Sequence, residues 1–507
     1  MQTLKILRSL ALAGLAMSCG DESPEPETGL LRALPFELER PSRGAPITDE
    51  ERVEATQLVT SFLKASNYFG WVKDTSHGVH ASTGKRDYAL WWHDVDAVKE
   101  GSRVTFRHSA SGGAHNVYIP TSRVLAAAAV GYLATQDPEM AWVAEQYSKA
   151  ITASIRGFVH DANDPNRYLM ARNIVNRNHE YTLADGRQVA VDYEPWYSTY
   201  EDWNAQRLHY PENPDWGDIY VTNMRSKDDL PHIYAAAPWL LYLSEDAEDS
   251  AVREAAREAF DNLAGFARDI VDSGYLIRTK DAEGRPFVPT EDLASFVRYE
   301  SLIPNAECAA KLGSALIGRA EPHGNQCGFN GGNDYDGIAT SVHYYNYDIV
   351  QIFHVAAISL ALARREIDAA KDLLTGMILR VERYRDPETK ETGASSTRWP
   401  SDVALLMLRA AAVGYPLTDD EARQVMTELA KAAEHYRGWP RWNLWDASVP
   451  DGVYDHGSGY RPSDESKFLS IDTMGLVFEY CGSPLRSPKG VAPVDCARVL
   501  DRSRWGE

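Results

Sequence analysis

Histidine, tyrosine, arginine and acidic residues gather in short knots along this chain, each directly ahead of an Ala/Leu-rich stretch. Asn178-His179, Arg225, Asp228-Asp229, His232 and Tyr234 form one group. His343, Tyr345, Tyr347 and Asp348 form a second, and Arg398, Trp399 and Asp402 a third. Two chemistries follow from these residue types. Imidazole and phenol groups move protons, while guanidinium and amide groups neutralise an anion, which is the set that β-elimination beside a carboxylate requires. Hydrolysis of a glycosidic bond needs two flanking carboxylates instead, for which Asp229, Asp348 and Asp402 are the candidates. We expect His179, Tyr234, His232, His343, Asp229 and Asp402 to be catalytic. Asn178, Arg225, Tyr345, Asp348, Arg398, Trp399 and Trp92 are expected to bind substrate in the same cavity. Each has a plainer explanation: Asp228 and Asp402 suit a helix N-terminus through its dipole alone, and Tyr345 and Tyr347 suit a core. That account leaves the coincidence of His, Tyr, Arg and Asp at successive helix starts unexplained.

Helical hairpins are the elements that would bring these knots together. Apolar spacing predicts a first helix over Thr48–Ala65, with Thr48 and Glu51 as a capping box. Apolar helices with amphipathic partners follow at Thr121–Ala134 with Pro138–Phe158 and at Leu230–Leu243 with Ala251–Ser273. The pattern repeats at Tyr345–Ala363 with Ile367–Tyr384 and at Pro400–Val413 with Asp419–Tyr436, and a last helix covers Phe468–Tyr480. A looser helical region spans Glu291–Ile317. Residues 69–113 read as irregular, and the long insertion between Asn163 and Asp228 contains a hairpin with an Asp185-Gly186 turn. The expected fold is all-α: an α/α toroid of about six hairpins over residues 49–482, with irregular loops, a small β-hairpin and one working mouth. Loop tryptophans, Trp91, Trp92 and Trp203 among them, suit its rim as stacking platforms for a ligand with apolar faces and hydroxyl edges.

One family shares part of this constellation. Asn178-His179-Glu180-Tyr181, followed by Arg225 and by Tyr234 in His232-Ile233-Tyr234-Ala235-Ala236-Ala237-Pro238, resembles the motifs of the helical-toroid alginate lyases. The resemblance covers two short stretches, and here Asn178-His179 runs into a hairpin, not a helix. It implies that Asn178, His179 and Arg225 neutralise a uronate carboxylate while Tyr234 and a histidine move protons. The expected function is therefore a polysaccharide lyase acting by β-elimination on an acidic glycan. A glycoside hydrolase with paired Asp carboxylates and a non-catalytic glycan-binding surface lipoprotein are the alternatives.

Composition and termini bound these readings. The net charge of −21 leaves no basic stripe for nucleic acid. P-loop, GxGxxG, HExxH and GxSxG motifs are absent, and no cofactor is expected. Asp228-Asp229-x-x-His232 departs from the Asp-rich motif of prenyl-diphosphate enzymes, since His232 replaces the final carboxylate. Asp334 and Asp336 lie in a calcium-loop-like stretch that has Gly332 and His343 where ligands belong. At the N-terminus, Lys5 and Arg8 precede a short apolar run ending in Leu15-Ala16-Met17-Ser18-Cys19, which resembles the lipobox of bacterial lipoproteins. That implies a signal peptide over 1–19, lipidation at Cys19, and an exported protein held to a membrane only by its lipid. Residues 20–48 read as a flexible tether and 483–507 as a C-terminal tail. Of the remaining cysteines, Cys308 with Cys327 and Cys481 with Cys496 are close enough in sequence for local disulfides.

Overall fold

A computed structural model describes residues 30–66, 69, 78–79, 86–88, 95–108, 118–157, 163–171, 173–176, 179–182, 186–192, 207–214, 217–222, 229–272, 278–281, 283–287, 352, 355–356, 358–363, 365–385, 400–436, 448–455 and 471–506. The chain is predominantly helical. Its helices are α1 (Asp49–Ser66), α2 (Tyr118–Thr135), α3 (Pro138–Arg156), α4 (Asp229–Asp246), α5 (Ser250–Asp272), α6 (Ile367–Arg385), α7 (Pro400–Ala412), α8 (Asp419–Tyr436), α9 (Ile471–Gly482) and α10 (Cys496–Leu500). Residues 358–363 are helical as well.

Two kinds of helix make two layers. In α2, α4, α7 and α9 apolar residues occupy nearly every position, so these helices bury all round. Val124 to Val130, Ile233 with Trp239, Leu240, Tyr242 and Leu243, Val403 to Leu408 and Leu476 to Phe478 are all core. They pack in the order α4, α2, α9, α7, each against the next. Amphipathic helices stand behind them: α3 on α2, α5 on α4 and α8 on α7, with α3 and α5 also touching each other. Both predicted N-terminal caps form. Thr48 and Glu51 exchange backbone-to-side-chain hydrogen bonds of 2.8 and 3.1 Å, and Asp137 accepts from the amides of Glu139 and Met140 ahead of Pro138.

β-structure is more extensive than one hairpin. Short strands β1 (Gly78–Val79) and β2 (Arg86–Tyr88) pair, as do β10 (Thr279–Lys280) and β11 (Pro286–Phe287). The predicted hairpin is present as β6 (His179–Thr182) against β7 (Gln188–Asp192), with His179 opposite Val191 and Gly186 at φ +86° in the connection. It belongs to a five-stranded sheet ordered β12-β3-β4-β7-β6, where β3 is Val95–Glu100, β4 is Arg103–His108 and β12 is Gly452–Asp455. Residues 95–108 are thus a hairpin, not irregular chain; Gly101, at φ +59°, makes the turn. A three-stranded sheet, β5-β9-β8, is built from Asn173–Asn176, Gly217–Thr222 and Arg207–Asn213.

The three-stranded sheet and the strap of residues 30–48 lie at opposite ends of the inner helices. The three-stranded sheet lies at the N-terminal end of α2: the Tyr118 hydroxyl donates to the Ala171 carbonyl, the Ala171 amide donates to Ser154 near the end of α3, and Ile174 of β5 abuts Gly157. The C-terminal end of α4 is covered by residues 30–48. Residues 30–48, expected as part of the flexible tether, are instead a strap packed on the core. Leu30 and Leu31 are buried, and Leu34, Phe36, Leu38 and Ile47 pack against the core. Tyr242 donates to the Leu31 carbonyl at 3.0 Å and Arg32 pairs with Asp246. Pro35, Pro41 and Pro46 keep this segment out of regular structure, but its apolar residues recur often enough to seat it. The expected C-terminal tail is likewise part of the fold. Leu485, Val494 and Val499 are buried, and Trp505 packs edge-on against Phe478 with ring centroids 5.6 Å apart. Cys481 and Cys496 form the predicted disulfide, tying α9 to α10.

Candidate functional site

At the sheet-bearing end, α2 and α4 each present a basic side chain. Arg123 lies one turn into α2 and is partly exposed on a helix that is otherwise almost entirely buried. His232 lies in the first turn of α4, where Pro231 is tolerated because first-turn amides have no intrahelical acceptor. Arg123 Nη2 lies 3.4 Å from His232 Nε2. A guanidinium only donates, so a hydrogen bond across this distance takes Nε2 as the acceptor, which corresponds to the Nδ1–H tautomer. The pair therefore offers a fixed cation beside an imidazole N–H.

Beneath it, the inner helices carry isolated charges among apolar residues. Glu479 of α9 is only 8 % exposed, and its Oε1 accepts from Trp239 Nε1 of α4 at 3.1 Å. Burial pushes the Glu479 carboxyl above the ordinary carboxylate range. The Trp239 hydrogen bond and the charges of Arg409 and Arg123 oppose that push without overcoming it. Arg409, on α7, is itself buried. Four inner helices thus contribute to one electrostatic group.

Tyr234 does not belong to it. Two residues apart on a helix means about 200° of rotation, so His232 and Tyr234 leave α4 in nearly opposite directions. Tyr234 is fully buried, and its hydroxyl has no hydrogen-bond partner among the described residues. Burial, and next the charge of Asp269 on α5, raise its pKa far above the ordinary phenol value. Asp269 pairs with Arg278 behind the inner layer. Tyr234 is buried towards Asp269 of α5, on the side of α4 away from His232, and its phenol is held protonated there.

Of the other expected site residues, His179 opens β6, Asp229 opens α4 and Asp402 lies in the first turn of α7. Asn178, Arg225, His343, Tyr345, Asp348, Arg398, Trp399 and Trp92 lie outside the described residues, as do Cys19, Cys308, Cys327, Asp334 and Asp336. Among the described residues no cluster of His, Cys, Asp and Glu has the makings of a metal site, and no helix is long and apolar enough to cross a membrane. Sequence reading missed Arg123, Trp239, Arg409 and Glu479. The signal was there for two of them: Glu479 stands alone in Leu476-Val477-Phe478-Glu479-Tyr480, and Arg409 in Leu406-Met407-Leu408-Arg409-Ala410. A lone charge in an otherwise apolar helix is expensive to bury and demands a partner. The chain matches no protein-family model, no curated protein and no solved structure.

Proposed function

We propose that the chain is an exported carbohydrate-active enzyme that cleaves an acidic polysaccharide by β-elimination at the sheet-bearing end of an α/α toroid. The Arg123–His232 pair carries this reading. Elimination beside a uronate requires the carboxylate to be neutralised so that the neighbouring C–H becomes acidic. The guanidinium of a partly exposed arginine beside an imidazole is suited to that task. Arg123 takes the carboxylate, and the His232 Nδ1–H donates to the developing enolate. Proton removal and delivery fall to His179, His343, Asp229 or Asp402, with Asn178, Arg225, Tyr345, Asp348, Arg398, Trp399 and Trp92 holding the sugar chain. Four inner helices packed in succession, with amphipathic helices behind them, support the toroid. The Cys481–Cys496 disulfide fits an oxidising compartment, and lipidation at Cys19 would hold the protein to a bacterial membrane.

The test is incubation with a panel of neutral and acidic glycans, following ultraviolet absorbance of the unsaturated product alongside new reducing ends. Elimination predicts both signals, on acidic glycans only. Reducing ends without absorbance would establish hydrolysis; silence in both with measurable glycan binding would establish a non-catalytic lipoprotein. Arg123→Ala should lower kcat/KM on the acidic substrate by about 10²-fold or more, as removal of a preorganised charge stabiliser does.

A further inference from the structure

We propose that the strap fixes which way the mouth faces: with Cys19 held in a bilayer, the strap end lies on the membrane side and the sheet-bearing end opens away from it. Three observations carry this. Residues 30–32 sit on the C-terminal end of α4, where Leu30 and Leu31 are buried, the Leu31 carbonyl accepts from Tyr242 at 3.0 Å, and Arg32 pairs with Asp246, the last residue of the helix. The strap then stays at that end. Leu34 lies against Gly414 just past α7, Arg40 pairs with the buried Glu421 at 2.6 Å, and the Ile47 amide donates to Asp419 at the start of α8 at 2.9 Å. Third, the inner helices run in one direction. Tyr118 at the start of α2 meets the three-stranded sheet, whereas at the opposite end Arg502 pairs with Asp137 just after α2. There too the Ser483 hydroxyl, just past α9, donates to the Ala412 carbonyl that ends α7. Arg123 and His232, near the starts of α2 and α4, are thus at the far end from the strap.

Length decides the orientation. Eleven residue steps join Cys19 to Leu30, and no conformation carries them further than about 40 Å. To bring the mouth onto the same bilayer, that span would have to run outward over the amphipathic layer, roughly 10 Å. It would then follow the 18 residues of α4, about 27 Å, and pass the sheet, roughly another 10 Å. The span falls short, so the body cannot turn over. The mouth takes glycan chains from the surrounding solvent, and saccharides carried on lipids of the anchoring membrane stay out of its reach.

This orientation rests on the reading of Cys19 as a lipid anchor, and the test separates the two. The full chain is purified from bacterial membranes, its lipid verified by mass spectrometry, and reconstituted into phosphatidylcholine/phosphatidylglycerol vesicles with an acceptor dye on the headgroups. A fluorescent amino acid replaces either Glu37 of the strap or Glu212 of β8, both exposed. Energy transfer should place position 37 nearer the bilayer than position 212 by about 27 Å or more, the length of α4. Equal distances, or the reverse order, overturn the proposal. Inserting about 40 Gly/Ser residues after Gly29 lets the body turn over and should cut the difference by half or more; an unchanged difference overturns the proposal as well. A protein without lipid at Cys19 removes the anchor reading alone. A synthetic acyl chain on the amine of a chain starting at Gly20 then gives the same comparison, and equal or reversed distances there overturn the orienting role of the strap.

Discussion

Replacing Arg40 by methionine should unseat the N-terminal strap. Arg40 has a 5 % exposed side chain and makes two hydrogen bonds to the fully buried Glu421, at 2.6 and 3.0 Å. It also reaches Glu382 at 2.5 Å and the Pro416 carbonyl at 3.1 Å, and its guanidinium lies 4.7 Å from the Tyr415 ring centroid. The Glu382 pair is more exposed and is worth little. The Glu421 pair decides the magnitude. Methionine fills much of the same volume, so packing changes little and the effect is that of leaving one buried carboxylate without its cation, about 3–5 kcal/mol. That is a third or more of the stability of a typical domain.

The pH dependence has a definite sign. Burial raises the Glu421 pKa, but the hydrogen bonds and charge of Arg40, with the Thr418 amide and Tyr415 hydroxyl, outweigh it and the net shift is downward. In the wild type this group therefore contributes stability above the unfolded carboxylate pKa of about 4.3, lost as pH falls through the lower folded value. Without Arg40 burial dominates, the folded pKa rises above the unfolded one, and protonation then relieves the variant. The difference between wild type and Arg40→Met should be largest near pH 7 and shrink towards pH 4. Guanidinium unfolding curves at several pH values measure it, and Arg40→Met/Glu421→Leu should recover most of the loss. A single variant within about 1 kcal/mol of wild type, or a difference that grows on acidification, would refute the reasoning.

Three further outcomes follow from the same structure. Cys481→Ser/Cys496→Ser should lower unfolding free energy by about 3 kcal/mol, the loop-closure value for a separation of 15 residues; denaturation curves unchanged by the substitutions would count against it. Gly265→Ala should destabilise by about 1–3 kcal/mol although alanine favours helices, because its methyl group would meet the Tyr168 ring, and a variant as stable as wild type in urea would show that the ring is free to move. Tyr234→Phe should preserve glycan cleavage and leave stability equal or up to about 2 kcal/mol higher, since it removes a buried hydroxyl with no hydrogen-bond partner among the described residues; abolished cleavage in a folded variant would return the phenol to the active site.

The helices were legible because their signal is local. Alternation of an all-apolar helix with an amphipathic one marked inner and outer layers, and Thr48 with Glu51 and Asp137 with Pro138 marked two N-termini to within a residue. The sheets were not, because their logic is long-range. Val95–Glu100 carries Asp96, Lys99 and Glu100 among its apolar residues, and its outer partner β12 arrives 350 positions later in the chain, where the Val449 carbonyl accepts from the buried Lys99 ammonium at 2.7 Å. The strap was hidden for a related reason. Its prolines and the Pro/Glu run just ahead of it read as a linker, and only the packing of Leu31 and Leu34 and the ion pair of Arg40 distinguish it from one.

Helix geometry also decides which of the expected residues can cooperate. A knot such as Asp229-Leu230-Pro231-His232-Ile233-Tyr234 looks like one chemical unit in sequence, yet the helical repeat spreads it around the whole circumference of α4. Tyr234 turns to Asp269 in the outer layer while His232 turns to Arg123 on the neighbouring inner helix. Groups that act together must then come from adjacent helices at one level, not from adjacent positions in the chain. This is why a conspicuous tyrosine is buried in the core while an arginine with no motif around it lies beside His232.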